Sequence, residues 1–146
     1  MTEPNSRSQA RKWGVLFTAW IIALAATLGA LFIGEVMGQT PCVLCWYQRA
    51  FMFPLAIVLA VACFRADTGG WAYALPLAII GWLVAGYHML LYVGAISEEV
   101  TPCGVGPSCS DANMTILGGV PIPLLSFGAF TAIVLLLLIL RKRTNT

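Results

Sequence analysis

The chain has 146 residues, of which 60% are hydrophobic and only 10% charged, and its formal net charge is +2. Soluble globular domains carry about 25% charged residues, so this composition excludes an ordinary water-soluble fold and identifies a membrane protein. The positive balance is small and lies mostly at the two ends of the chain, which excludes a nucleic-acid surface.

Four apolar runs follow one another, each near the roughly 20 residues that a helix needs to cross the hydrocarbon core. Residues 1–12 are polar and carry Arg7, Arg11 and Lys12. The first span covers residues 13–34. A basic start followed by Ala23, Leu24 and Ala25 resembles a cleaved signal peptide, but the apolar run continues past those alanines and exceeds the 7 to 15 residues of a signal core. A retained helix is the better reading.

The second run is the informative one. Its uninterrupted part, Ala50 to Phe64, covers only about 22 Å as a helix, short of a core near 30 Å. The helix must borrow length from the preceding stretch, Thr40-Pro41-Cys42-Val43-Leu44-Cys45-Trp46-Tyr47-Gln48-Arg49. A second span over about 43–64, starting near Cys42, then carries Cys42, Cys45 and Arg49 in its first two turns. Pro54 inside this helix frees a carbonyl and is expected to bend it near the motif.

Arg65 to Gly70 forms a tight polar turn. The third span is expected over 71–96 and the fourth over 120–140, opened by Pro121 and Pro123 and closed by Arg141, Lys142 and Arg143. Residues 35–42 and 97–119 form the loops on the far side, and the longer of them carries Glu98, Glu99 and Asp111 without a basic residue. This predicts an all-α integral membrane protein, a four-transmembrane-helix bundle in one domain. The basic residues other than Arg49 fall on one side, so the positive-inside rule puts both termini in the cytoplasm. Arg49 alone lies near the outer face, where snorkelling from a helix end and a functional role are equally good explanations.

Cys42, Cys45, Cys103 and Cys109 all face the outer compartment, and Cys63 sits alone at the other end of span two. Cys63 reads as a packed core thiol. Four outward cysteines admit two structural disulfides, one four-thiolate metal site or a redox relay. Zinc is disfavoured, because five residues separate Cys103 from Cys109 and no histidine lies in the loops. Haem attachment fails because Trp46 stands where a histidine is needed. A bridge between Cys42 and Cys45 closes a tiny loop and braces little, which favours reactivity over bracing. The helix start and Arg49, four residues on, both favour a Cys45 thiolate. In the second pair, Gly104, Gly106 and Pro107 permit a sharp, exposed closure suited to exchange with a visiting protein.

Pro41-Cys42-Val43-Leu44-Cys45-Trp46-Tyr47-Gln48-Arg49 resembles the signature of the DsbB/BdbC family of bacterial disulfide bond formation proteins. Supporting matches are Glu35-Val36-Met37-Gly38, Tyr87-His88, the second cysteine pair and Val120-Pro121-Ile122-Pro123-Leu124-Leu125-Ser126. The short separation of Cys103 and Cys109 resembles the BdbC branch. The resemblance implies a multi-pass protein of the bacterial cytoplasmic (inner) membrane, with its active cysteines on the extracytoplasmic side. The implied activity is that of a thiol:quinone oxidoreductase with redox-active disulfides Cys42-Cys45 and Cys103-Cys109. Its partners would be a DsbA/BdbD-like thiol oxidase on the outer face and the membrane quinone pool, either ubiquinone or menaquinone. Catalysis would fall to Cys42, Cys45, Cys103 and Cys109, and the quinone would meet Cys45, Arg49 and His88. No metal is implied. Two alternatives stand beside this reading. A small carrier or structural subunit would need a polar pathway that the spans lack, and a vitamin K epoxide reductase-like protein would place its Cys-x-x-Cys late in the bundle.

Overall fold

The computed structural model describes residues 3–97, 108–109, 115–116 and 118–146, with side chains from residue 6 onward. Four long helices, α1 (Glu3–Leu31), α2 (Val43–Phe64), α3 (Trp71–Tyr92) and α4 (Ile122–Thr144), account for most of it. Each contains a stretch long and apolar enough to cross a membrane. They pack in a ring, with α1 against α2 and α4, and α3 against α2 and α4. Arg7, Arg11, Lys142 and Arg143 line one cleft, so the two termini share one end of the bundle. The cysteine motif lies at the other end.

The core follows the inward stripes of the helices. Leu16, Leu55, Leu59, Phe130, Ile133, Leu137 and Leu140 are fully buried, while the outward positions expose Ile57, Leu83 and Leu135 as a lipid-facing surface requires. Gly81 lets α3 approach α4: a Cβ there would stand 2.2 Å from the Phe130 ring. Cys63 is buried in this core, and its carbonyl accepts a hydrogen bond from Trp13 Nε1 at 3.1 Å.

The helix boundaries differ from the sequence expectations for local reasons. α1 begins at Glu3, because the polar flank continues the helix rather than preceding it. α3 stops at Tyr92, before Ile96. Gly94 adopts φ +75°, and the amides of Gly94 and Ala95 donate to the carbonyls of Leu91 and Leu90, the hydrogen bonds of a Schellman stop. α4 begins at Ile122, since Val120 and Pro121 pair antiparallel with Ile116 and Thr115 in a two-residue ribbon, β1 (Thr115–Ile116) and β2 (Val120–Pro121). Pro54 lies within α2, as the sequence placed it.

At the cysteine end, α1 widens into a π-helical turn over Phe32–Val36, with Met37 N–H bonded to the Phe32 carbonyl at 3.1 Å. Such turns loosen the backbone and frequently accompany functional sites. The chain then reverses through Gly38, at φ +68°, and enters α2 through Pro41 and Cys42.

Candidate functional site

Cys42 caps α2. Its backbone is extended, and its Sγ accepts a hydrogen bond from the Cys45 amide at 3.4 Å, satisfying a donor that the first turn would leave free. The Cys42 thiol donates in turn to Cys45 Sγ at 3.2 Å. The bond it gives to Cys45, and then burial, push the Cys42 thiol up from its ordinary 9.0 to about 12, against a smaller lowering by His88. Cys42 is therefore the protonated member of the reduced pair, and Cys45 is the sulfur that receives its proton bond.

The two sulfurs meet each other and share a cluster, but only Cys45 also reaches a cavity. Cys42 is buried in a small apolar cluster with Leu44, Leu91 and Cys109, to which Tyr87, Ile96 and Ile122 add partly buried surface. Cys109 is fully buried there. This corrects the expectation of an exposed outer pair at Cys109: apolar side chains of α2 and α3 enclose that residue. Cys103 lies outside the described residues.

Cys45 also borders an apolar cavity of about 440 Å³ between α1, α2 and α4. Small residues on α1 (Ala25, Ala26, Gly29 and Ala30) leave the space; Met52 and Phe53 of α2 and Leu125 and Ala129 of α4 close its sides. Gln48 and Arg49 supply polar groups to the wall. Pockets of this size and character, apolar with few directed polar groups, suit a small planar ligand. Arg49 does not snorkel outward. Its Nη2 donates to the Ala30 carbonyl at 2.7 Å, and its guanidinium lies over the Trp46 ring, 5.4 Å from the centroid. Gly34 makes room for it, since a Cβ at that position would fall 2.9 Å from Arg49 Nη2. Trp46 and Tyr47 are themselves more than half exposed, where interfacial aromatics belong.

His88, expected beside the same ligand, is not among the residues that line the cavity. It is fully buried behind Cys42, where Gln48 Nε2 donates to its Nδ1 at 2.8 Å. That bond leaves the ring proton on Nε2, which faces the Cys109 carbonyl at 3.2 Å and Cys42 Sγ at 3.8 Å. The place of Gln48 at a helix mouth does not by itself reveal this bond. The available signal was its register: Leu44, Gln48, Met52, Leu55 and Leu59 form one buried stripe of α2, in which a lone amide requires a partner. Cys42, Cys45 and His88 also place three ligand atoms within 4.8 Å of one another, a donor set that a thiophilic cation could use.

Comparison with known proteins identifies the family. The family described as "Disulfide bond formation protein DsbB" matches residues 11–140. The chain is 55% identical over 142 residues to a "Probable disulfide formation protein" of Metapseudomonas resinovorans, covering 97% of this chain and 99% of the relative. It is 37% identical over 126 residues to "Disulfide bond formation protein C" of Bacillus subtilis (strain 168), covering 86% and 91%. A "Probable disulfide formation protein" of Coxiella burnetii (strain RSA 493 / Nine Mile phase I) is 40% identical over 111 residues, covering 75% and 76%. No solved structure matches. The chain, a four-helix membrane protein, thus belongs to the DsbB family of disulfide bond formation proteins.

Proposed function

We propose that this disulfide-forming oxidoreductase reoxidises a thioredoxin-like, DsbA/BdbD-type thiol oxidase and passes the electrons to a membrane quinone. The observation that carries the proposal is the division between the two motif sulfurs. Cys45 and Arg49 share one wall of an apolar cavity, while Cys42 packs with Cys109 on the other side.

A thiolate of the reduced partner attacks Cys103 of the Cys103-Cys109 disulfide, forming a mixed disulfide and releasing Cys109 as a thiolate. The partner's second thiolate then attacks its own mixed-disulfide sulfur, restoring the partner's disulfide and freeing Cys103. Cys109 attacks Cys42 of the Cys42-Cys45 disulfide. A Cys42-Cys109 bond forms, the Cys42-Cys45 bond breaks, and the electron pair leaves on Cys45. Attack by Cys103 on Cys109 restores the outer bridge and frees Cys42, so the pair of electrons now resides on the Cys42-Cys45 dithiol.

A quinone in the 440 Å³ cavity would accept those two electrons with two protons and depart as quinol. Arg49 would hold its oxygen and stabilise negative charge there and on Cys45. The bond from the Cys42 thiol to Cys45 keeps one proton at hand for the reclosure of the pair. The apolar walls exclude water, which strengthens the Arg49 interaction. The partner-facing cysteines lie on the extracytoplasmic side of the bacterial inner membrane, as the positive-inside rule requires of a bundle whose basic termini share one end.

The test is a reconstitution. Purified protein given a reduced thioredoxin-like partner should reduce either ubiquinone or menaquinone at a rate that saturates in both substrates, and Cys45→Ser should abolish it. Full turnover by Cys45→Ser, or unimpaired disulfide formation in cells whose protein lacks all four outer cysteines, would overturn the relay.

A further inference from the structure

We infer that His88 is a positioning residue that registers Cys109 on Cys42. The inference rests on the relay proposed above, because it concerns the step in which Cys109 attacks Cys42.

Cys109 comes from the connection between α3 and α4, so its place beside Cys42 depends on contacts with distant segments. Its sulfur is buried among α2 and α3 side chains, and its backbone carbonyl meets one imidazole. A buried carbonyl needs a donor, and a buried imidazole needs partners for both nitrogens. The geometry meets both needs at once. Gln48 donates to Nδ1 at 2.8 Å, which fixes the ring and leaves the proton on Nε2. Nε2 then donates to the Cys109 carbonyl at 3.2 Å while lying 3.8 Å from Cys42 Sγ. One ring atom thus faces both residues whose sulfurs must meet. Gln48 and Arg49 supply the polar wall of the cavity, and the His88 ring stands behind Gln48.

The step itself is a balanced exchange. The Cys109 thiolate forms a bond to Cys42 Sγ, the Cys42-Cys45 bond breaks, and its electron pair leaves on Cys45, so no external oxidant is consumed. Bringing nucleophile and disulfide into contact is most of what such a reaction asks of a protein. A single hydrogen bond that holds the Cys109 main chain in register should favour the Cys42-Cys109 bond by about five- to tenfold.

The experiment isolates that bond. In a Cys45→Ser, Cys103→Ser background, Cys42 and Cys109 remain as the outer thiols, and oxidised glutathione supplies the oxidant for joining them. The equilibrium constant for the Cys42-Cys109 disulfide is measured in a glutathione buffer with His88, His88→Phe, His88→Asn and His88→Gln. Glutamine reaches about as far as Nε2 and retains the donor; asparagine reaches only about as far as Nδ1 and loses the latch. We expect a five- to tenfold lower constant with Phe and Asn, and recovery to within about twofold with Gln. If Phe does not fold, the Asn and Gln pair, both polar and of similar size, carries the comparison. In the four-cysteine protein, the KM for quinone should stay within twofold in His88→Gln.

Equal constants for His88, Asn and Gln would overturn the inference and leave the relay standing, as would a raised quinone KM with an unaltered disulfide constant. Failure of the Cys42-Cys109 bond to form even with His88 present would instead overturn the relay.

Discussion

Cys42 and Cys45 are one helical turn apart and pack against the same apolar cluster, yet only Cys45 also lines the cavity. Cys42 is almost fully buried beside Cys109 and His88, and its thiol is held protonated by Cys45 and by burial. Cys45 is partly open, borders the apolar cavity and shares its wall with Arg49. A Cys-x-x-Cys pair on a soluble protein can use one exposed sulfur for every exchange. Here the start of a membrane helix lies between an apolar cluster and an apolar cavity; Cys42 belongs to the cluster alone, and Cys45 borders both. The sequence already set Cys45 apart through Arg49 four residues on, and the helix register adds that Cys45 alone of the two borders the cavity.

The largest test of that division is removal of either sulfur. Cys45→Ser should lower quinone reduction by about 10⁴-fold or more, because among the described residues no second thiol lines the cavity. Next in size is the proton asymmetry of the reduced pair. A Cys42 thiol held near 12 carries on the order of 10³-fold less thiolate at pH 9 than one left near that pH would. Raising the pKa keeps the neutral form present to higher pH, so Cys42 alkylation should climb steadily through pH 10, without the plateau of an ordinary thiol just above 9. Peptide mapping after timed iodoacetamide labelling of the reduced protein reads this directly. A Cys42 rate that levels off near pH 9 would remove the asymmetry.

Much of this architecture was legible in the chain. The shortfall of the apolar run from Ala50 to Phe64 was enough to draw the motif into α2, which begins at Val43. Arg49 was visible as a charge on the side that the positive-inside rule avoids, and its bond to Ala30 supplies the local reason. What stayed hidden depends on contacts between distant segments. The burial of Cys109 needs the apolar cluster built from α2 and α3, which a Gly- and Pro-rich loop does not announce. The placement of His88 depends on helix phase: depth along α3 was calculable, but which side of the ring of helices it faces was not. The stop at Tyr92 was readable in principle from Gly94, and the ribbon pairing Val120 with Ile116 was too short to show any strand periodicity.

Smaller effects sharpen the cavity side. Arg49→Leu should reduce kcat/KM for quinone about 10- to 100-fold through loss of a charged hydrogen bond, with steady-state kinetics as the measurement. The Cys42-Cys109 equilibrium should move far less, and an equal effect on both would mean that Arg49 acts on the whole motif. Gly34→Ala probes the same guanidinium without touching it. The added methyl would stand 2.9 Å from Arg49 Nη2, and a flexible side chain can yield where a backbone cannot. We expect a loss of about three- to tenfold in quinone kcat/KM with a Tm within about 2 °C of the parent, measured by thermal unfolding in detergent.

The central claim is that Cys45, and not Cys42, meets the quinone. Visible absorption of the quinone-loaded protein tests it most directly, because a thiolate against a quinone ring produces a charge-transfer band. Cys42→Ser, which leaves Cys45 unpaired beside Arg49, should show the band, and the further change Arg49→Leu should weaken it. A band in Cys45→Ser and none in Cys42→Ser would contradict the account.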